Sequence, residues 1–209
     1  MELKESKIMG RLEGKKKNIL MIIPKDYYDE QQLEITREIF QKEGAHVRIA
    51  SGKFKEAVGD KGGRVMPDVL LVDSIEGIVG DSYVTDGKGT RQIIGVYHGT
   101  VVIGGKGARK YLWKDDLLRI LLIDRYKNHM VVAALGNAVP CLAEAQLIDN
   151  MEVAAAEDKY TKPELDRVGA MIAEEKVTVN DRIITAACAE AAEEFAYAVI
   201  EQVEKTNLK

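Results

Sequence analysis

Val131-Val132-Ala133-Ala134-Leu135-Gly136-Asn137-Ala138-Val139-Pro140-Cys141-Leu142-Ala143-Glu144-Ala145 reads as an apolar strand, a tight turn and a small-residue helix in direct succession. A strand that turns sharply into a helix is the corner on which many α/β hydrolytic proteins raise a nucleophile above the sheet. Here the corner residue is Gly136, which has no side chain to raise. The corner of an active site is present and its reactive group is missing.

The rest of the chain supplies the layers such a corner needs. Residues 18–23 are a nearly continuous apolar run, the pattern of a strand buried on both faces. Residues 69–72, 100–103 and 129–135 read as further strands, and residues 182–185 as a late one. In 45–50, Val47 and Ile49 fall on one face. Residues 29–42 form a predicted helix with Leu33, Ile35, Ile39 and Phe40 inward and Gly44 as its stop. Leu117, Leu118, Leu121 and Leu122 stand at helical spacing in 115–126, and 187–204 is a long alanine-rich helix. Residues 77–95 are rich in glycine and polar residues, with a short strand at 92–94. Apolar runs alternating with helices predict a parallel sheet covered on both faces. The polar residues 1–16 read as a mobile tail and 17–209 as a single domain.

Composition narrows the function classes. The chain has 209 residues, 46% of them hydrophobic, and a net charge of −4. That charge argues against nucleic acid or an anionic membrane as partner. No apolar stretch reaches the roughly 18 residues that span a bilayer. Residues 1–7 lack the apolar core of a signal peptide, so a cytoplasmic location is expected. Cys141 and Cys188 are too few for a disulfide framework, and His46, His98 and His129 are scattered. No metal site and no cofactor are expected.

Four features, in order, resemble the ThiJ/PfpI family of the class I glutamine amidotransferase-like superfamily. They are Tyr28-Asp29-Glu30-Gln31-Gln32-Leu33 after the first strand, Val102-Ile103-Gly104-Gly105-Lys106-Gly107, the corner through Gly136, and Ile183-Ile184-Thr185 before a helix with Glu194-Phe195-Ala196. The resemblance spans roughly residues 17–204. It implies a flavodoxin-like three-layer α/β sandwich with a mostly parallel central sheet, and a homo-oligomer of two or more copies. The family's pattern carries a cysteine at the corner, often a histidine next to it, and a glutamate before an apolar residue of the first helix. The matching positions here are Gly136, Asn137 and Gln32. Thiolate, histidine and acid are all replaced, which implies loss of the family's protease, deglycase and glyoxalase-type chemistry.

What remains are candidate binding groups. The amides at Gly104, Gly105 and the Gly136 corner make either a nest for a carboxylate, phosphate or carbonyl oxygen, or tight turns alone. Gln32 either orients a ligand or faces solvent; it cannot act as a general acid or base. Asp29 and Glu30 are the nearest acids, placed either to replace the lost glutamate or to complement the helix dipole. The expected function is non-covalent binding of a small anionic or carbonyl ligand at Gln32, Gly104, Gly105, Gly136 and Asn137, or a scaffold dimer. The alternatives are a divergent hydrolase or lyase using Glu30 or Asp29 with a bound water, and a structural subunit of a mixed assembly. Cys141 reads as a small buried hydrophobe. Cys188, near the start of the last helix, is the better candidate for a reactive thiol. His98 reads as structural.

Overall fold

The computed structural model describes residues 10–86 and 89–206. Seven strands form the central sheet: β1 Asn18–Ile22, β2 His46–Ser51, β3 Val69–Leu70, β4 Tyr97–Val102, β5 Val131–Leu135, β6 Val177–Asn180 and β7 Ile183–Ala186. Their spatial order is β6-β7-β5-β4-β1-β2-β3. All neighbours are parallel except β6 and β7, which pair antiparallel at the edge. This is the expected three-layer α/β sandwich with a mostly parallel sheet.

The apolar runs have no polar alternation because both faces of the sheet are covered. Leu20 and Ile22 of β1 join one core with Val132 and Ala134 of β5. Ile19 and Met21 join the other with Val131, Ala133 and Leu135. Helices α1 Glu30–Lys42 and α7 Ala192–Lys205 close the second face. Helices α2 Leu71–Ile75, α3 Lys106–Tyr111, α4 Asp116–Lys127, α5 Pro140–Glu144 and α6 Thr161–Asp166 contribute to the first. At Gly99 on β4 an added Cβ would lie 2.9 Å from Val203 Cγ2, so the missing side chain lets α7 sit close to the sheet.

Three expectations are revised. Residues 69–72 divide into the two-residue β3 and α2, because a short apolar run does not distinguish a strand from a buried helix. The carboxyl end of α2 is capped by Arg125, whose guanidinium donates to Ser74 O and Ile75 O at 3.1 and 3.2 Å. The last helix starts later than residue 187: Cys188 is extended, a single 3₁₀ turn spans Ala189–Ala191, and α7 follows. Residues 1–9 of the expected tail lie outside the described residues, but 10–16 are docked on the domain. Leu12 is fully buried, its N–H bonds Glu43 O, and Arg11 and Lys15 reach Glu204 at 2.8 and 2.6 Å. Exposed ion pairs contribute little, so burial of Leu12 holds this segment. The expected strand at 92–94 belongs to Gly89–Ile94, which pairs antiparallel with Ile78–Asp86.

The chain fills β1, β2 and β3 in one direction and then returns to place β4 on the other side of β1. In open α/β sheets such a reversal opens a crevice at the carboxyl ends of the adjoining strands, where ligands bind. The connections leaving β1, β4 and β5 meet at that end.

His98, on β4, is buried and its Nδ1 accepts the Asn18 N–H at 3.1 Å. Burial, reinforced by nearby Lys17, lowers its pKa from 6.5 to about 4. The unfolded chain then binds the proton more tightly than the folded one. The stability that His98 contributes is complete above pH 6.5 and is lost as the pH falls toward 4. Denaturant midpoints measured over this range should fall more steeply for the parent than for His98→Gln; identical slopes would refute the assignment.

Candidate functional site

The site is built from three turns. The first is the start of α1. Asp29 caps the helix, its Oδ1 accepting the Gln32 N–H at 2.9 Å. That cap sets the first turn and carries Gln32 inward, where only 4% of it is exposed. The second turn follows β4 at Gly104 and Gly105. The third is the corner after β5, where Gly136 has φ +54°, a 3₁₀ turn covers Gly136–Ala138, and Pro140 opens α5.

Two hydrogen bonds join them. Gly104 N–H donates to Gln32 Oε1 at 2.8 Å, and Gly105 N–H donates to Asn137 Oδ1 at 2.9 Å. Because the donors are backbone N–H groups, the accepting atoms must be amide oxygens, which leaves Gln32 Nε2 and Asn137 Nδ2 as donors. Neither NH₂ group has a hydrogen-bond partner among the described residues. Gln32 Nε2 faces the corner: a Cβ built on Gly136 would lie 3.1 Å from it. The Trp113 indole N–H donates to Asn137 O at 2.6 Å and fixes the corner from below.

For the amides that follow β4, the tight-turn alternative describes the structure. The N–H groups of Gly104 and Gly105 are taken by side-chain oxygens, and that of Lys106 donates to Asp60 Oδ2 at 3.0 Å. Such groups are satisfied within the protein and are not free to receive an anion. Both glycines are needed for close approach. An added Cβ at Gly104 would lie 2.7 Å from Asn137 Oδ1 and 2.8 Å from Leu135 O, and one at Gly105 would lie 2.4 Å from Tyr27 O.

A cavity of about 300 Å³ opens over the corner, lined by Asp29, Gln32, Asp60, Gly136, Asn137 and Cys188 among others. Glu30, the expected catalytic acid, does not line it. Its Oε1 accepts the N–H groups of Lys61 and Gly63 at 2.7 and 3.0 Å, in a seat that glycines 59 and 63 leave open. Burial raises its pKa, but these amide donors outweigh that effect and hold the carboxyl below its usual value. Glu30 therefore anchors the 59–63 loop. Asp29 does border the cavity, with one oxygen committed to the helix cap.

Cys188 lines the cavity, as a residue at the sequence-predicted helix start could. Its thiol is shifted upward by burial and by the neighbouring Glu190 carboxylate, which is opposite to the activation a helix start provides. Cys141 is buried in the core and its pKa is raised, as for an inert thiol. Sequence reading missed Asp60, Lys106 and Glu190. The available signal for the first was the Gly59-Asp60-Lys61-Gly62-Gly63 run, whose glycines mark a loop pressed against another element. Among the described residues no group of three or more His, Cys, Asp or Glu could hold a metal ion, and no helix is long and apolar enough to cross a membrane.

A flavodoxin-like sandwich with a strand–turn–helix corner at the end of its sheet defines a recognisable class. Residues 17–202 match the DJ-1/PfpI family, and the chain belongs to it. An uncharacterised protein of Methanocaldococcus jannaschii is 27% identical over 191 residues, covering 91% of this chain and 84% of that protein. The fold is shared with a ThiJ/PfpI domain protein from Brachyspira murdochii, with a TM-score of 0.77 and 22% identity over 92% of this chain and 99% of that one. It is shared also with Drosophila melanogaster DJ-1beta, with a TM-score of 0.72 and 18% identity over 91% of this chain and 92% of that one.

The left-handed backbone at Gly136 gives a stability prediction. Gly136→Cys should destabilise the protein by about 1–3 kcal/mol, partly offset by the lower unfolded-state entropy of a non-glycine residue. Gly104→Ala should cost at least as much, because its Cβ meets the backbone oxygen of Leu135. Chemical denaturation of both variants checks this. A Gly136→Cys protein as stable as the parent would mean that the corner is unstrained.

Proposed function

We propose that Gly136 stands where the family's pattern carries its cysteine, and that the corner binds a small molecule without covalent chemistry. The observation that carries this reading is the NH₂ group of Gln32. It is held by a buried side chain, has no partner among the described residues, and faces the cavity beside Gly136. An accepting ligand atom would meet this donor at the cavity wall, where it is already held in place by the bond from Gly104 N–H to Gln32 Oε1. Asn137 Nδ2 offers a second donor from the corner itself. Two amide NH₂ groups above a glycine fit a carbonyl or carboxylate oxygen.

The carboxylates near the corner support binding over acid–base catalysis. Glu30 lies outside the cavity with Oε1 holding the 59–63 loop, and Oδ1 of Asp29 is bound in the cap of α1. The raised pKa of Cys188 argues against a displaced nucleophile. A homo-oligomer, implied by the family, is part of this proposal, and sedimentation giving a monomer at micromolar concentration would remove it.

Pyruvate, which carries both a carbonyl and a carboxylate, is a suitable probe of the corner. Ligand-observed NMR should detect its binding to the parent, to Glu30→Gln and to Cys188→Ser, and show it lost in Gln32→Leu. Mass spectrometry should find no adduct. Binding that survives Gln32→Leu, or a covalent species that depends on Cys188, would overturn the reading.

A further inference from the structure

A second cavity, of about 290 Å³, adjoins the first and shares Lys106 and Asn137 with it. Its lining combines three cations, Lys106, Arg109 and Lys159, with two aromatic rings, Trp113 and Tyr160. None of the three cations forms an ion pair with a carboxylate among the described residues. Nearby cations behave differently: Lys114 and Arg167 both reach Glu144, at 2.9 and 2.8 Å. The one carboxylate in the cavity, Asp158, keeps a charge that Arg109 senses, but its oxygens are occupied by neutral donors. Its Oδ1 accepts the N–H groups of Tyr160 and Thr161 at 2.8 and 3.0 Å, and its Oδ2 accepts the Thr161 hydroxyl at 2.8 Å. A chain with net charge −4 thus gathers three cations and a single carboxylate on one concave surface.

The aromatic rings organise that charge. The Arg109 guanidinium lies 3.7 Å from the centre of the Tyr160 ring, and Lys159 Nζ lies 4.9 Å from it. Arg109 and Lys159 also interact with the Tyr160 hydroxyl and lower its pKa, so one phenol gathers both cations, and a guanidinium on an aromatic face is restrained while its remaining N–H groups can still meet an anion. Trp113 is anchored by its bond to Asn137 O, so the indole position is set by the corner itself.

We propose that this cavity is an anion subsite that extends the corner pocket. It takes the phosphate or carboxylate of a small organic anion, with Lys106, Arg109 and Lys159 around the charge and a flat apolar body against Trp113 and Tyr160. The far end of such a ligand points across Asn137 toward Gln32. Only this last feature rests on the proposed binding role of the corner.

Trp113 is the single tryptophan of the chain, so its fluorescence reports on this cavity without labelling. The probes are phenyl phosphate, inorganic phosphate and phenol. Phenyl phosphate should change the emission saturably, and added salt should weaken the effect. Inorganic phosphate and phenol, each lacking one half of the probe, should bind at least about tenfold more weakly. The exposed positions allow Arg109→Gln and Lys159→Gln without disturbing the core. Their combination should weaken phenyl phosphate by about tenfold or more, as expected for loss of charge-assisted contacts.

Gln32→Leu separates the two proposals. If phenyl phosphate binding survives Gln32→Leu and is lost in the double variant, the anion subsite stands whatever the corner does with pyruvate. If binding is lost in Gln32→Leu but unchanged in the double variant, the anion sits at the corner and the subsite is refuted. Phenol binding as tightly as phenyl phosphate, or no saturable change at millimolar concentration, refutes it as well.

Discussion

The site depends on two hydrogen bonds from one short turn, Gly104 N–H to Gln32 Oε1 and Gly105 N–H to Asn137 Oδ1. They tie together the connections that leave β1, β4 and β5, which are far apart in sequence and adjacent only because the sheet reverses direction beside β1. Each bond contributes about 0.5–1.5 kcal/mol net, but an N–H left unpaired at this depth would cost roughly 1–3 kcal/mol. The constraint is therefore stronger than the attraction. Glycine is required at both donors because a Cβ would strike the groups they bond or the neighbouring backbone.

That arrangement determines the chemistry left to the pocket. The backbone donors of Gly104 and Gly105 are satisfied within the protein, and the side-chain amides that satisfy them keep their own NH₂ groups for the cavity. The acids are used structurally. Asp29 caps α1, Glu30 holds the 59–63 loop and Asp158 caps the turn before α6. The three cations along the adjoining cavity form no salt bridge among the described residues and share it with one carboxylate, Asp158. The proposed binding role follows from this arrangement, in which side-chain amide donors and cations line adjoining cavities beside a corner residue that is glycine.

Much of this was legible in the sequence. Continuous apolar runs at 18–23, 100–103 and 129–135 could be satisfied only by strands buried on both faces. Gly44, Asp29 and the glycine pair at 104–105 marked the ends of elements through rules that are local. The edge strand β6 was missed because Val177–Asn180 is only partly buried and carries little apolar signal. Residues 69–72 were misread because a buried helix and a buried strand share the same apolar run.

By itself the sequence determined the layered α/β architecture, the corner at Gly136 and the absence of a side chain there. These follow from periodicity and from the presence or absence of a Cβ, both of which are local properties. The tertiary structure alone decided that Gln32 points into the corner while Glu30, two residues earlier, points away into a glycine loop. It decided also that the amides of Gly104 and Gly105 are occupied, and that Lys106, Arg109 and Lys159 surround one cavity. Which atoms meet across separate connections depends on strand order and on the direction each side chain leaves its helix, and neither is encoded in any single stretch of the chain.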